Sequence, residues 1–333
     1  MEGVWKYQHT FGLPEGTPII TLGEGNTALV TDTWEGVPIA YKCEFQNPTG
    51  SYKDRGTTVL TTFLKSRDVQ FAVEDSSGNA GASFAAYAAR GKIHSQIYIP
   101  ESASGPKKEQ IVAYGAEVIP VAGAREKAAE AVRQKAESGV CYASHAWLPF
   151  GMPGIATIAY EIFEQSGKIP EMVIAPVGHG SLLLGIARGF KALINLGVGK
   201  KMPILIGVQS RACNPIERAF YHQEAHGNDP EQTRTAAEGV MVSNPARLKP
   251  LLAIVRESGG DILSIPEERI LPSRGELAKR GLFVEPTSAL VWAALQLVHP
   301  SKDGSVVLIL TGSGLKYSIQ EDRMTGNYRK ESI

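Results

Sequence analysis

Cysteine is scarce in this chain. There are three, Cys43, Cys141 and Cys213, far apart and odd in number. That pattern excludes a disulfide framework, shows no metal-ligand spacing and fits a reducing, cytosolic setting. No stretch approaches the ~18 uncharged apolar residues of a membrane span. The first residues, Met1-Glu2-Gly3-Val4-Trp5-Lys6, are polar and do not read as a signal peptide. Neither charge is in excess: 34 Lys and Arg balance 34 Asp and Glu, which leaves no electrostatic footprint for nucleic acid or an anionic membrane. Fixed-period repeats and low-complexity tracts are also missing. What remains is the composition of a soluble globular protein. Its 333 residues are too many for one small core and suggest one large or two medium domains.

Strand-like and helix-like segments alternate along the chain. Val37–Phe45 reads as a strand, 53–65 as a helix, 69–73 as a short apolar run and 80–90 as an alanine-rich helix. Strands follow at 96–99, 117–121, 172–177, 204–208 and 306–310, with helices at 107–114, 126–137, 182–193, 247–257, 267–279 and 288–298. Repeated strand–turn–helix units predict parallel sheets covered by helices, an α/β fold. His222–Thr235 is polar and reads as a surface loop or flexible cover. Its two histidines, His222 and His226, have no carboxylate arrangement that makes a metal site, and no metal is expected.

In α/β sheets, ligands sit beyond the carboxyl ends of strands. Four turns there carry chemistry. The first, Asn47-Pro48-Thr49-Gly50-Ser51-Tyr52-Lys53, places an amine at a helix start. A lysine in a loop is usually a solvated charge. In a closed pocket, burial disfavours an ammonium, and a neutral amine can attack a carbonyl. The second, Ser76-Ser77-Gly78-Asn79-Ala80-Gly81, offers hydroxyls, an amide and backbone N–H groups that suit a carboxylate, or simply cap a helix. The third, Gly178-His179-Gly180-Ser181, suits a phosphate, because glycines admit close approach and the N–H groups of a helix start point at an anion. Leu183 stands where a dinucleotide fingerprint requires glycine, which argues against a nicotinamide-dependent oxidoreductase built on Gly178–Gly185. The fourth is Thr311-Gly312-Ser313-Gly314-Leu315-Lys316, after the last strand.

The ordered set NPTGSYKDRG, SSGNAGAS, PVGHGSLLLG, LFVEPTSA and LTGSGLK resembles the fold-type II pyridoxal-phosphate enzymes. Within them it looks most like threonine synthase and the related threonine dehydratases. The resemblance runs from about residue 20 to residue 318. It implies a two-domain fold like that of the tryptophan synthase β-subunit. A smaller α/β domain of residues 45–145 would be inserted into a large cofactor-binding domain of residues 1–44 and 146–333. It implies that Lys53 forms the Schiff base and then acts as the base at the α-carbon. Asn79 would meet the cofactor's ring oxygen. Ser77, Gly78, Asn79 and Ala80 would hold the substrate carboxylate. Gly178, His179, Gly180, Ser181 and Leu182 would wrap the phosphate, and Thr311 would face the pyridine nitrogen. The Glu285-Pro286 pair matches a family element whose role is open between cofactor and structure. A homodimer is implied too. The chemistry implied is β- or γ-elimination or replacement on an α-amino acid, whether as a threonine synthase, a threonine or serine ammonia-lyase, or a relative of these. A binding module that keeps the cofactor without turnover is the remaining alternative, and the intact lysine argues against it.

The chain departs from the threonine synthase pattern in His145–Thr157. Gly151 stands in place of an arginine, Ala156 of a lysine and Leu148 of an asparagine. Ala80 stands where a threonine is common. These changes remove partners for a substrate phosphate, and a buried dianion without partners is costly. Trp147, Leu148, Phe150 and Met152 are then expected on the pocket wall, with a less polar substrate side chain or one that leaves as a neutral group. Cations from elsewhere, such as Lys107, Lys108, Arg211 or Arg247, are the competing possibility. His145 is expected either to line the pocket or to be a packed polar residue.

Overall fold

The computed structural model describes residues 2–123, 125–223, 235–302 and 304–317. Most of the polar stretch His222–Thr235, including His226, lies outside them. In chain order the elements are β1 (Leu29–Trp34), β2 (Val37–Lys42), α1 (Lys53–Ser66), β3 (Phe71–Glu74), α2 (Asn79–Gly91), β4 (His94–Pro100), α3 (Pro106–Ala113), β5 (Glu117–Val121), α4 (Arg125–Glu137) and β6 (Cys141–Tyr142). They continue as α5 (Met152–Ser166), β7 (Met172–Pro176), α6 (Ser181–Asn195), β8 (Ile204–Ser210), α7 (Pro215–Phe220), α8 (Leu248–Glu257), β9 (Asp261–Ile265), α9 (Glu267–Lys279), α10 (Pro286–Leu295) and β10 (Val306–Ile309).

The described strands form two sheets. One has six strands in the order β1-β2-β10-β7-β8-β9, parallel except for the β1–β2 pair. The other has four parallel strands in the order β5-β4-β3-β6. Among the described residues, no helix is long and apolar enough to cross a membrane. The expected elements are found, with differences at their ends, and β1, β6, α5, α7 and β9 are present in addition to them. The first expected strand stops at Lys42, and Glu44–Gln46 forms a 3-10 turn.

Met-Val-Ile-Ala-Pro of β7 is buried along its whole length because both faces of the sheet are covered. Met172 and Ile174 face one core, where every residue of α10 is buried. Val173 and Ala175 alternate onto the other face, against Leu183, Ile186 and Phe190 of α6 and Ile158 and Ile162 of α5. The smaller sheet has its own core, in which Ala72, Ile97 and Ile99 pack on Phe84, Ala88 and Leu60. The β2–α1, β3–α2, β7–α6 and post-β10 turns all leave carboxyl ends of parallel strands. Both sheets therefore aim their ligand-type turns at one cleft.

Gly154 fixes how closely α5 meets α1. A Cβ there would lie 1.8 Å from the Arg55 carbonyl oxygen, so only glycine fits. A Cβ on Gly151 would come within 2.9 Å of the Gly56 carbonyl oxygen. An arginine at 151 would require this packing to open.

Candidate active site

Lys53 is the first residue of α1, and the two residues after it explain why it is held there. Asp54 is fully buried and accepts three hydrogen bonds, from Thr49 N–H (2.7 Å), Thr49 Oγ1 (2.6 Å) and Ser83 Oγ (2.6 Å). It pins the Asn47–Gly50 turn to the helix. Burial pushes its carboxyl up to about 6, although those bonds oppose the shift. Arg55 lies beneath, fully buried. It donates to Glu44 at 2.6 and 2.8 Å and to Glu161 at 2.8 and 2.7 Å. Lys42 Nζ completes a charge-balanced cluster, 2.7 Å from Glu161 Oε2. A further strap comes from the end of the described chain. Lys316 Nζ donates to the Thr49 carbonyl at 2.7 Å, and burial lowers its ammonium pKa to about 8.

The site expected from the sequence comes together in space. A cavity of about 750 Å³ is lined by Lys53 and Tyr52 from the first turn, by Ser76 to Ala80 from the second, by Gly178 to Leu182 from the third, and by Thr311. Residues 77–80 lead into α2, and Asn79 is its first residue. Gly180 caps α6 with φ +92°, a conformation open to glycine, and the first N–H groups of α6 have no intrahelical partner. Thr311 Oγ1 lies 2.9 Å from Ser288 Oγ, and its carbonyl accepts from Tyr52 N–H at 3.0 Å. Sequence reasoning misses Ser288, although it lies within the LFVEPTSA motif.

Glu285 has a defined place. Both its carboxylate oxygens accept from Asn79 Nδ2, at 3.0 Å each, and Lys107 Nζ lies 3.7 Å away. Gly312 permits this, because a Cβ there would lie 2.3 Å from Glu285 Oε1. Asn79 Oδ1 is buried with no protein partner. An amine, an anion-binding helix start, an orphaned amide oxygen beside the cavity and a threonine among the lining residues fit pyridoxal phosphate as a group.

The pocket wall differs from expectation. None of Trp147, Leu148, Phe150 and Met152 lines the main cavity. Phe150 stacks on Phe63 with ring centroids 3.7 Å apart, and Met152 begins α5 in the core. Leu148 and Met152 border only a neighbouring space of about 30 Å³ that also touches Lys53. Trp147 stands 57% exposed at a side cavity. Helix formation from Met152 explains part of the change: packing α5 on α6 turns Met152 inward, while Leu148 and Phe150 pack against the smaller sheet's core and Trp147 stays exposed. Lys107 and Arg125 line the cavity instead, and Arg247 is tied to Ser181 Oγ (3.1 Å) and the Leu148 carbonyl (2.9 Å). Lys108 and Arg211 are not on the wall. Lys107 is also 3.5 Å from Glu238.

His145 lines the cavity, with its Nδ1 2.5 Å from Glu74 Oε1 and its ring edge-on to His179 at 5.7 Å. Burial, with Arg125 and Lys53 nearby, lowers the His179 pKa to about 3, so this imidazole is neutral. No cluster of three or more metal-type ligands occurs among the described residues.

Fold and site together define an open α/β enzyme whose paired sheets enclose a cofactor-sized cleft at Lys53. The sequence matches the family described as pyridoxal-phosphate dependent enzyme over residues 20–312, and the chain belongs to that family. It is 34% identical to threonine synthase of Methanocaldococcus jannaschii, over 94% of this chain and 80% of that protein. It is 33% identical to threonine synthase of Halalkalibacterium halodurans, over 93% and 88%. Among solved structures, a threonine deaminase from T.th. superposes with a TM-score of 0.72 at 28% identity, covering 88% of this chain and 94% of that one. A Rhizomucor miehei L-serine ammonia-lyase shares the fold at a TM-score of 0.78 and 19% identity, covering 91% of this chain and 98% of that one. The chain is thus a fold-type II, pyridoxal-phosphate-dependent lyase of threonine synthase-like type.

Proposed function

We propose that the chain performs β- or γ-elimination or replacement on an α-amino acid whose side chain leaves as a neutral group. The observation that carries this is the convergence of four strand-end turns on one cavity around Lys53. Lys53 holds the cofactor covalently and, once released, removes the α-proton. The start of α2, Ser77 to Ala80, receives the substrate carboxylate. The Gly178–Leu182 turn takes the cofactor phosphate, Asn79 its ring oxygen and Thr311 its ring nitrogen. When bound, the cofactor stabilises the electron pair left at the α-carbon and so permits bond breaking at Cβ or Cγ. A hydroxyl at position 311, unlike a carboxylate, does not enforce a protonated ring nitrogen, which favours this chemistry over transamination.

The charge on the cavity wall supports a neutral leaving group. Lys53, Lys107 and Arg125 are matched by Glu126, Glu238 and Glu285, three against three. The wall itself offers no surplus cation to a second dianion beside the cofactor phosphate, and the nearby Arg247 is engaged by Ser181 Oγ and the Leu148 carbonyl. The identity to threonine synthases favours a second possibility, O-phosphohomoserine as substrate. A steady-state comparison separates the two. Hydroxy amino acids should be consumed with 2-oxo acid formation, and O-phosphohomoserine should release phosphate slowly. Rapid phosphate release with threonine formation would establish the threonine synthase reaction instead.

Residues 45–145 are proposed to move as the smaller domain and to close on the substrate carboxylate. A cytoplasmic homodimer is proposed on the resemblance and on the three free cysteines.

A further inference from the structure

Glu74 ends β3 where the chain turns toward Ser76 and Ser77. It is completely buried, and its Oε2 has no protein partner. A buried, half-satisfied carboxyl is costly unless it is neutral or serves a purpose. Its other oxygen meets His145 Nδ1 at 2.5 Å. His145 Nε2, across the ring, has no protein hydrogen-bond partner among the described residues, and the imidazole lines the same cavity as Lys53. We propose that Glu74 and His145 form a neutral proton relay, in which His145 protonates the departing side-chain group and Glu74 resupplies it.

The charge state of the pair follows from its surroundings. Burial first, then the neighbouring Asp75, raises the Glu74 carboxyl well above its ordinary value. Burial first, then Lys53 and His179, with Arg125 and Arg247 further contributing, holds the imidazolium well below its ordinary value. In the proposed relay Glu74 is the carboxylic acid and donates to Nδ1, an arrangement that the 2.5 Å contact accommodates. That hydrogen bond fixes the tautomer with the proton on Nε2, aimed at the cavity. As the Cβ–O or Cγ–O bond breaks, its electron pair goes to oxygen. The Nε2 proton moves to that oxygen, and a neutral hydroxyl compound leaves. The Glu74 proton passes to Nδ1, so the pair ends as a carboxylate and a neutral imidazole. No net imidazolium forms beside Lys53, which explains how a histidine that resists protonation can still donate.

This relay rests on the lyase function proposed above, and leaving-group dependence tests the two separately. The probes are L-serine or L-threonine, whose hydroxyl needs a proton to leave, and β-chloro-L-alanine, whose chloride does not. Holoenzymes of wild type, H145N and E74Q are compared for α-proton exchange in deuterated water and for 2-oxo acid formation. H145N should slow hydroxyl loss about 100-fold, in the range of general acid catalysis, but chloride loss by well under tenfold. E74Q can still donate to Nδ1 but cannot pass on a proton. It should show an intermediate loss with the same leaving-group selectivity. Chloride loss and the visible band of the bound cofactor report that each variant is folded. Equal losses on both substrates, or no loss on either, would overturn the relay alone. A wild type that exchanges no α-proton of any amino acid would overturn the lyase function and the relay with it.

Discussion

Asn79 donates its side-chain amide to both carboxylate oxygens of Glu285, at 3.0 Å each, joining the first turn of α2 to the start of α10. The pair orients an amide that borders the cavity and ties the smaller sheet's leading helix to the larger sheet.

Removing the carboxylate should loosen that amide. E285A is expected to weaken cofactor retention about tenfold, the equivalent of one net hydrogen bond of about 1.4 kcal/mol. E285Q keeps an acceptor and should recover most of it. Dialysis followed by the absorbance of bound cofactor measures both. Wild-type retention in E285A would show that Glu285 has no part in orienting Asn79.

Arg55 is expected to matter for stability more than any exposed charge. Its removal in R55M leaves Glu44 and Glu161 buried with one cation fewer, a loss of about 3–5 kcal/mol for a broken buried network. Urea unfolding reads this directly. A change below about 1 kcal/mol would place the cluster among pairs of little consequence.

The same cluster sets an acid limb. Burial opposes ionisation of Glu161, but Arg55 and Lys42 outweigh it and bring its pKa down to about 2, against an ordinary 4.5. A carboxyl lowered on folding contributes stability that is present above 4.5 and lost as the pH falls through about 2. Asp54 acts in the opposite sense. Raised to about 6, it contributes most below 3.8, and that contribution is lost as the pH rises through 6. Unfolding free energy measured from pH 7 to pH 2 should therefore rise and then fall, and R55M should flatten the acid limb. A monotonic fall across the whole range would contradict the Asp54 assignment.

The contact of α1 with α5 admits no side chain. G154A places a methyl 1.8 Å from the Arg55 carbonyl oxygen, so the helices must part. A loss of about 1–3 kcal/mol or more is expected, in the range of overpacked sites. Because Arg55 follows Lys53 by two residues, cofactor retention should fall with it. Tm and bound-cofactor absorbance, measured on one preparation, check the coupling.

The helix starting at Lys53 is legible in the sequence because turn formers precede it and the helix periodicity follows. The apolar run of β7 and the glycines after it are legible for similar local reasons. The helix Met152–Ser166 is not, because Pro149, Gly151, Pro153 and Gly154 crowd its start. Trp147, Leu148, Phe150 and Met152 are expected on the wall only from the missing phosphate partners at 148, 151 and 156, and motif comparison does not show which way a helix turns its side chains. The short strand Asp261–Ile265, behind Gly259 and Gly260, also escapes. The site's supports are hidden for a different reason. Arg55 and Glu161 lie 106 residues apart, and Asn79 and Glu285 lie 206 apart. Nothing local marks them as partners. Glu74 gives no motif at all, and only its burial beside His145 singles it out.

Three lysines compete for the role of covalent anchor in this region: Lys53 and Lys107 on the cavity wall, and buried Lys316 behind the Thr49 turn. Borohydride reduction of the holoenzyme, followed by peptide mass spectrometry, distinguishes them. The cofactor mass should be fixed on the peptide that carries Lys53, and K53A should retain none. Recovery of that mass on Lys107 or Lys316, or on no lysine, would contradict the assignment of Lys53 as the cofactor's anchor.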